Sequence, residues 1–141
     1  MKALPELERR RVATEKTLAK YRDTAFDWAA GRTCIHLAKF QARAMGHRLP
    51  SVPRFRSALG AKKALAAMGT GSVIELLDTM LPRIAPAEMR LGDLAAVAGE
   101  GGLDAVMVCA GPMKLLGWRE DAEAMVVLDV PLGEVSAAWR L

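Results

Sequence analysis

The stretch Leu91-Gly92-Asp93-Leu94-Ala95-Ala96-Val97-Ala98-Gly99, continued by Leu103-Asp104-Ala105-Val106-Met107-Val108-Cys109-Ala110-Gly111-Pro112, decides the fold class. Before it, apolar residues return every three or four positions. From it onward they come in short runs cut by Gly and Pro, the pattern of strands joined by tight turns. Gly92-Asp93 turns the chain into a strand over 94–98, Gly99 to Gly102 reads as a hairpin loop, and 105–110 is a β-rich run. Gly111-Pro112 turns again, 114–119 predicts a third strand and 125–130 a fourth. Residues 132–141, with Trp139, predict a short terminal helix.

Working backward, helices fill the first part of the chain. Pro5 suits a first helical turn, and Leu4, Leu7, Arg11, Thr14, Leu18 and Tyr21 predict a helix over about 6–22 that packs on one side or on a partner. Residues 27–31 read as a turn. Thr33 is a helix cap for 34–45, closed by Gly46. Pro50 and Pro53 impose an extended link, and Ala58, Ala61, Leu65 and Met68 mark another helix. Ser72-Val73-Ile74-Glu75 is a capping box opening a short helix that stops before Pro82. Helices followed by short strands predict an α+β domain with a small antiparallel sheet or barrel. The division expected is a basic N-terminal helix over 1–23 and a single domain over 24–141.

At 141 residues and 15.2 kDa, with 52% apolar and 26% charged residues, the chain fits one globular domain. No apolar run approaches the roughly 20 residues of a membrane-spanning helix. Met1-Lys2 leads into Glu6, Glu8 and Arg9-Arg10-Arg11 instead of an apolar segment, which speaks against a signal peptide. Two cysteines without a CxxC motif speak against a disulfide scaffold or structural zinc. The net charge of +4 conceals a division: residues 1–67 carry fifteen Lys/Arg against five Asp/Glu, and 68–141 carry five against eleven. Such asymmetry suits anion binding, head-to-tail contacts in an assembly, or two solvated faces.

Cys34 is the residue with most chemistry. In the first turn of a helix a thiol meets the positive end of the macrodipole, which favours thiolate, although small buried thiols are common packing residues. A nucleophile needs a base. His36 lies about 200° round the helix from Cys34, and His47 lies past the helix end, roughly 20 Å away. Asp93, Asp104, Glu120, Asp121 and Glu123 fall at turns and strand ends, where acids are normally solvated, and Glu120-Asp121-x-Glu123 lacks the spacing of a calcium loop. No metal or cofactor is expected. The glycine pairs lack phosphate-loop spacing. Arg9, Arg10, Arg11, Arg54 and Arg56 are candidate partner-binding residues, while 5% aromatic content disfavours specific nucleic-acid binding.

The ordered pieces Phe26-Asp27-Trp28, Gly31-Arg32-Thr33-Cys34, Phe55-Arg56-Ser57-Ala58-Leu59-Gly60-Ala61, Leu91-Gly92-Asp93-Leu94, Val108-Cys109-Ala110-Gly111 and Ala137-Ala138-Trp139-Arg140 resemble the NlpC-type, papain-like cell-wall peptidases over about residues 24–141. More closely they resemble that family's small tail-module relatives in bacteriophages and gene-transfer-agent-like elements, a domain-of-unknown-function group. The resemblance implies an NlpC-like fold with Cys34 at the nucleophile position. It puts the family's catalytic histidine at the opening of the strand that ends in Gly111, where this chain has Ala105 or, counted one residue earlier, Asp104. No histidine stands there or in the following strand. The resemblance therefore implies a pseudoenzyme: a structural component of a phage-like tail or tip, made in the bacterial cytoplasm and assembled with other tail proteins. The rivals are a peptidoglycan endopeptidase or amidase using Cys34, and a nucleic-acid accessory protein using the basic half. Strand parity puts Cys109 on the face of Ala105, about 13 Å along. If Ala105 faces Cys34, a Cys34–Cys109 disulfide is out of reach.

Overall fold

The computed structural model describes residues 5–99, 103–118 and 123–141. Four helices come first: α1 Glu6–Tyr21, α2 Cys34–Ala44, α3 Ala58–Ala67 and α4 Val73–Met80. Six strands follow: β1 Arg83–Ile84, β2 Leu94–Val97, β3 Ala105–Gly111, β4 Lys114–Gly117, β5 Val126–Asp129 and β6 Val135–Trp139. They form one open antiparallel sheet in the order β1-β6-β2-β3-β4-β5. This is the expected α+β architecture, with a sheet in place of a closed barrel.

The helix starts follow from local chemistry. Thr33, Ser57 and Ser72 each adopt extended backbone, and their hydroxyls accept the N–H of His36, Gly60 and Glu75. Glu75 differs from an ordinary capping box by reaching back to the N–H of Gly71. In the β3–β4 hairpin, Gly111 is paired with Lys114 across Pro112-Met113, and Met113 takes the left-handed conformation at φ 57°.

Two elements differ from expectation. The C-terminal segment, expected as a helix, is strand β6, inserted between β1 and β2. Ala-Ala is intrinsically helix-favouring, but here Ala137 lies opposite Ala96 and Ala138 opposite Ala95. Ala96 and Ala137 lie in the main core between helices and sheet, and Trp139, fully buried, packs there with them. Tertiary pairing overrides propensity. The two-residue edge strand β1, after Pro82, carries too little pattern to be read from sequence.

The buried face of α1 is also not the apolar stripe. Arg10, Ala13, Thr14, Thr17 and Tyr21 turn inward, whereas Leu7 is 69% exposed. Leu7 instead lines an open apolar groove with Met89, Met113 and Leu132. The inner face is polar because its partners are polar. The Thr17 hydroxyl donates to Gln41 Oε1 at 2.5 Å, and Gln41 Nε2 donates to Thr14 Oγ1 and to the carbonyl of Gly92. Gln41 is itself fully buried on α2. This seam fixes α1 to α2 and both to the turn before β2.

The main core lies between the helices and one sheet face: Leu37, Ala38 and Ala42 of α2 meet Leu94, Ala96, Val106, Val108 and Leu116. A smaller cluster on the other face joins Ala95, Met107, Cys109 and Leu115. An edge-to-face chain of rings (Phe40, Tyr21, Trp118, Phe26, Trp28, Phe55) links α1, α2 and the loops around the start of α2.

Candidate functional site

The turn expected at 27–31 delivers Cys34. Asp27 and Arg32 exchange backbone hydrogen bonds, and Asp27 Oδ1 accepts the N–H groups of Ala29 and Ala30. Gly31, at φ +74°, closes the loop in a conformation that a β-carbon disfavours. Thr33 follows, fully buried as the cap, and Cys34 occupies the first turn of α2. The Cys34 side chain is half-buried against the main core, and its Sγ lies 3.8 Å from the carbonyl oxygen of Asp104, immediately before β3. The helix mouth and the strand opening thus meet.

The side chains at that opening are distributed by the alternation of the strand. Val106 and Val108 face α2, while Ala105 packs with Met107 and Cys109 on the far side. Ala105, the first residue of β3, thus points away from α2. What meets the Cys34 sulfur at this opening is the backbone carbonyl of Asp104, the second of the two positions, Ala105 or Asp104, reached by counting back from Gly111. Cys109 carries a free thiol on the far face; burial pushes its pKa up, and its Sγ contacts the Gly111 carbonyl.

Both imidazoles are placed elsewhere. His36 Nδ1 is 2.8 Å from the Thr33 hydroxyl, and its ring stands against Phe55, with centroids 5.2 Å apart. Burial, then the charge of Lys39, lowers its pKa and keeps the ring neutral at pH 7. His47 lies beyond the other end of α2, beside Lys39, Arg43, Arg48 and Leu49.

The candidate contact arginines divide. Arg9, Arg54 and Arg56 are exposed, and Arg11 is exposed and paired with Glu8 and Glu15. Arg10 is not a surface residue. It is 3% exposed, donating to Asp93 Oδ1 at 2.8 Å and to the carbonyls of Leu91 and Leu141. Asp93, expected to be solvated, is fully buried. It also accepts from the N–H groups of Arg90 and Leu141, and Arg140 Nε lies 3.0 Å from its second oxygen. This cluster ties α1, the Gly92-Asp93 turn and the end of β6 together. Its sequence signal was the Gly-Asp turn itself, but a buried arginine among three in a row is invisible until α1 is docked. Gly101, Gly102, Arg119, Glu120 and Asp121 lie outside the described residues.

The fold is an α+β arrangement with a cysteine at a helix start laid against an antiparallel sheet. It is shared with the NlpC/p60 domain of the peptidoglycan hydrolase SagA: TM-score 0.59 at 16% identity, covering 92% of this chain and 97% of that one. RipA, a resuscitation-promoting-factor-interacting protein solved in a form mutated at a histidine, is also similar. The TM-score is 0.51 at 16% identity, covering 97% of this chain and 65% of that one. At such identity the likeness establishes the fold. The chain belongs to the DUF6950 family, described as a domain of unknown function, whose model matches residues 5–141. No curated protein matches the chain.

Proposed function

We propose that this chain is a non-catalytic assembly component of a phage-like tail or tip, built on a cell-wall-peptidase fold. The observation that carries the reading is the composition of the opening of β3. Where Cys34 meets that strand, the residues are Asp104 and Ala105, and the chain's two imidazoles sit on Thr33 and Phe55 and at the far end of α2. Thiol-based amide hydrolysis needs a group that takes the thiol proton and returns it to the leaving amine, a role filled most often by histidine. Without an imidazole at that opening, turnover is very slow. The tail role is supported by the resemblance of the ordered motifs to the small tail-module relatives of the peptidase family.

The experiment has two arms. Purified full-length chain is incubated with muropeptides and the products are read by mass spectrometry. No cleavage is expected. Cleavage that disappears in Cys34→Ala overturns the non-catalytic reading and makes the chain a peptidoglycan hydrolase. In the second arm, tail particles purified from producing cells are expected to contain the chain, and its absence from them overturns the tail role.

A further inference from the structure

Between residues 28 and 74 the sequence has no Asp or Glu, yet it carries eight Lys/Arg. The structure shows how unevenly these are compensated. Among the described residues only Arg32 of the eight forms an ion pair, with Asp27. The other seven have no carboxylate partner among the described residues. Elsewhere seven of the ten described Lys/Arg are paired, on α1, at the sheet edges and in the Asp93 cluster.

The uncompensated cations follow a path. Lys39 and Arg43 are one helical turn apart on α2. With His47, Arg48 and Leu49 they line an open hollow of about 400 Å³. Leu49 shares the lining of that hollow with Lys39, so the link after α2 folds back along it, and the ring contact of Phe55 with His36 brings the link to the start of the helix. Arg54 and Arg56 flank Phe55 there, both exposed. The strip therefore runs the length of α2, about 16 Å for its eleven residues, with Lys62 and Lys63 exposed on α3 beyond.

We propose that this strip is a docking track for the phosphodiester backbone of duplex nucleic acid, bound without sequence preference. A protein partner would call for apolar or aromatic anchors within the patch. Of the large apolar side chains exposed among the described residues, Leu59 alone belongs to this stretch. Single-strand binding calls for exposed rings on which bases stack. The rings here, Trp28, Phe40 and Phe55, are taken up in contacts with one another and with Tyr21, Phe26 and His36. Uncompensated cations without a stacking platform fit a backbone of regularly spaced phosphates, where affinity comes from counterion release. This inference stands apart from the tail reading and survives its failure.

The test is fluorescence anisotropy of a labelled 20-base-pair duplex with the full chain, titrated across salt. Binding is expected near 50 mM salt, with four contacts giving about a 100-fold loss on going to 200 mM. Lys39→Gln with Arg43→Gln, and separately Arg54→Gln with Arg56→Gln, are each expected to reduce the log–log salt slope by about 2. Lys114→Gln on β4 is expected to leave it unchanged. Circular dichroism confirms that each variant is folded. Absence of binding at 50 mM salt, or binding that neither double variant weakens, overturns the proposal. Competition by poly-glutamate as effective as unlabelled duplex overturns it in favour of an acidic protein surface.

Discussion

Asp93→Asn isolates the buried charge cluster. The substitution keeps the shape of the side chain, removes its charge and turns one oxygen into an N–H donor. In the parent, Oδ1 receives Arg10 and the N–H of Leu141, and Oδ2 receives the N–H of Arg90 with Arg140 beside it. An amide cannot accept on both sides, so a donor must face a donor, and Arg10, 3% exposed, keeps its charge with the exposed Glu6 as its remaining carboxylate. Removing one member of a buried pair costs about 3–5 kcal/mol, against about 5–15 kcal/mol for the stability of a whole domain. At about 3 °C per kcal/mol for a chain of this size, Tm should fall by about 10–15 °C. The assays are calorimetry and urea unfolding followed by tryptophan fluorescence. Arg11→Gln, in an exposed pair, serves as the comparison and should not move the midpoint measurably. The double variant Arg10→Met, Asp93→Asn should lose clearly less than the sum of the single losses, because the two groups share one interaction. A fall below about 3 °C for Asp93→Asn, or strict additivity in the double variant, refutes the cluster as an energetic unit.

Gly92→Ala should cost about 1–3 kcal/mol, read from the urea midpoint. Gly92 sits at φ +90°, and an added β-carbon would stand 3.1 Å from Gln41 Nε2 and 3.2 Å from Thr14 Oγ1, so a neutral result would remove the polar seam as a constraint. For His36 the folded pKa is lowered, so protons prefer the unfolded chain as the pH drops. Stability should be at its full value above the ordinary imidazole value of 6.5 and decline as the pH falls from there toward the folded value. His36→Gln should lack that decline, and equal slopes in parent and variant between about pH 8 and about pH 5 would show that the ring is not held in its neutral form.

Much of the scaffold was legible because it is local. Thr33 and Ser72 announce helix starts, Gly46 and Pro82 announce ends, and the change from a three-to-four-residue rhythm to short runs at Leu91 announces the sheet. The resemblance put the opening of β3 near Cys34, and the fold showed that the Ala105 side chain packs on the other face of the sheet. What misled was α1, whose apolar residues suggest one face while its polar face is the buried one. Hydrophobic periodicity assumes an apolar interior, and here Gln41, Thr14, Thr17, Arg10 and Asp93 satisfy one another inside.

The sequence by itself determined the elements whose signals lie within a few residues: caps, breakers, turns and runs. It also determined the chain's inventory, one cysteine at a helix mouth and no histidine in the strands that follow. Only the tertiary structure decided that residues 135–139 pair as a central strand, because the alanines of β6 are specified by the alanines of β2 about forty positions away. It alone decided which arginine is buried and which stay uncompensated, since the charge balance around a side chain depends on what the rest of the fold brings beside it.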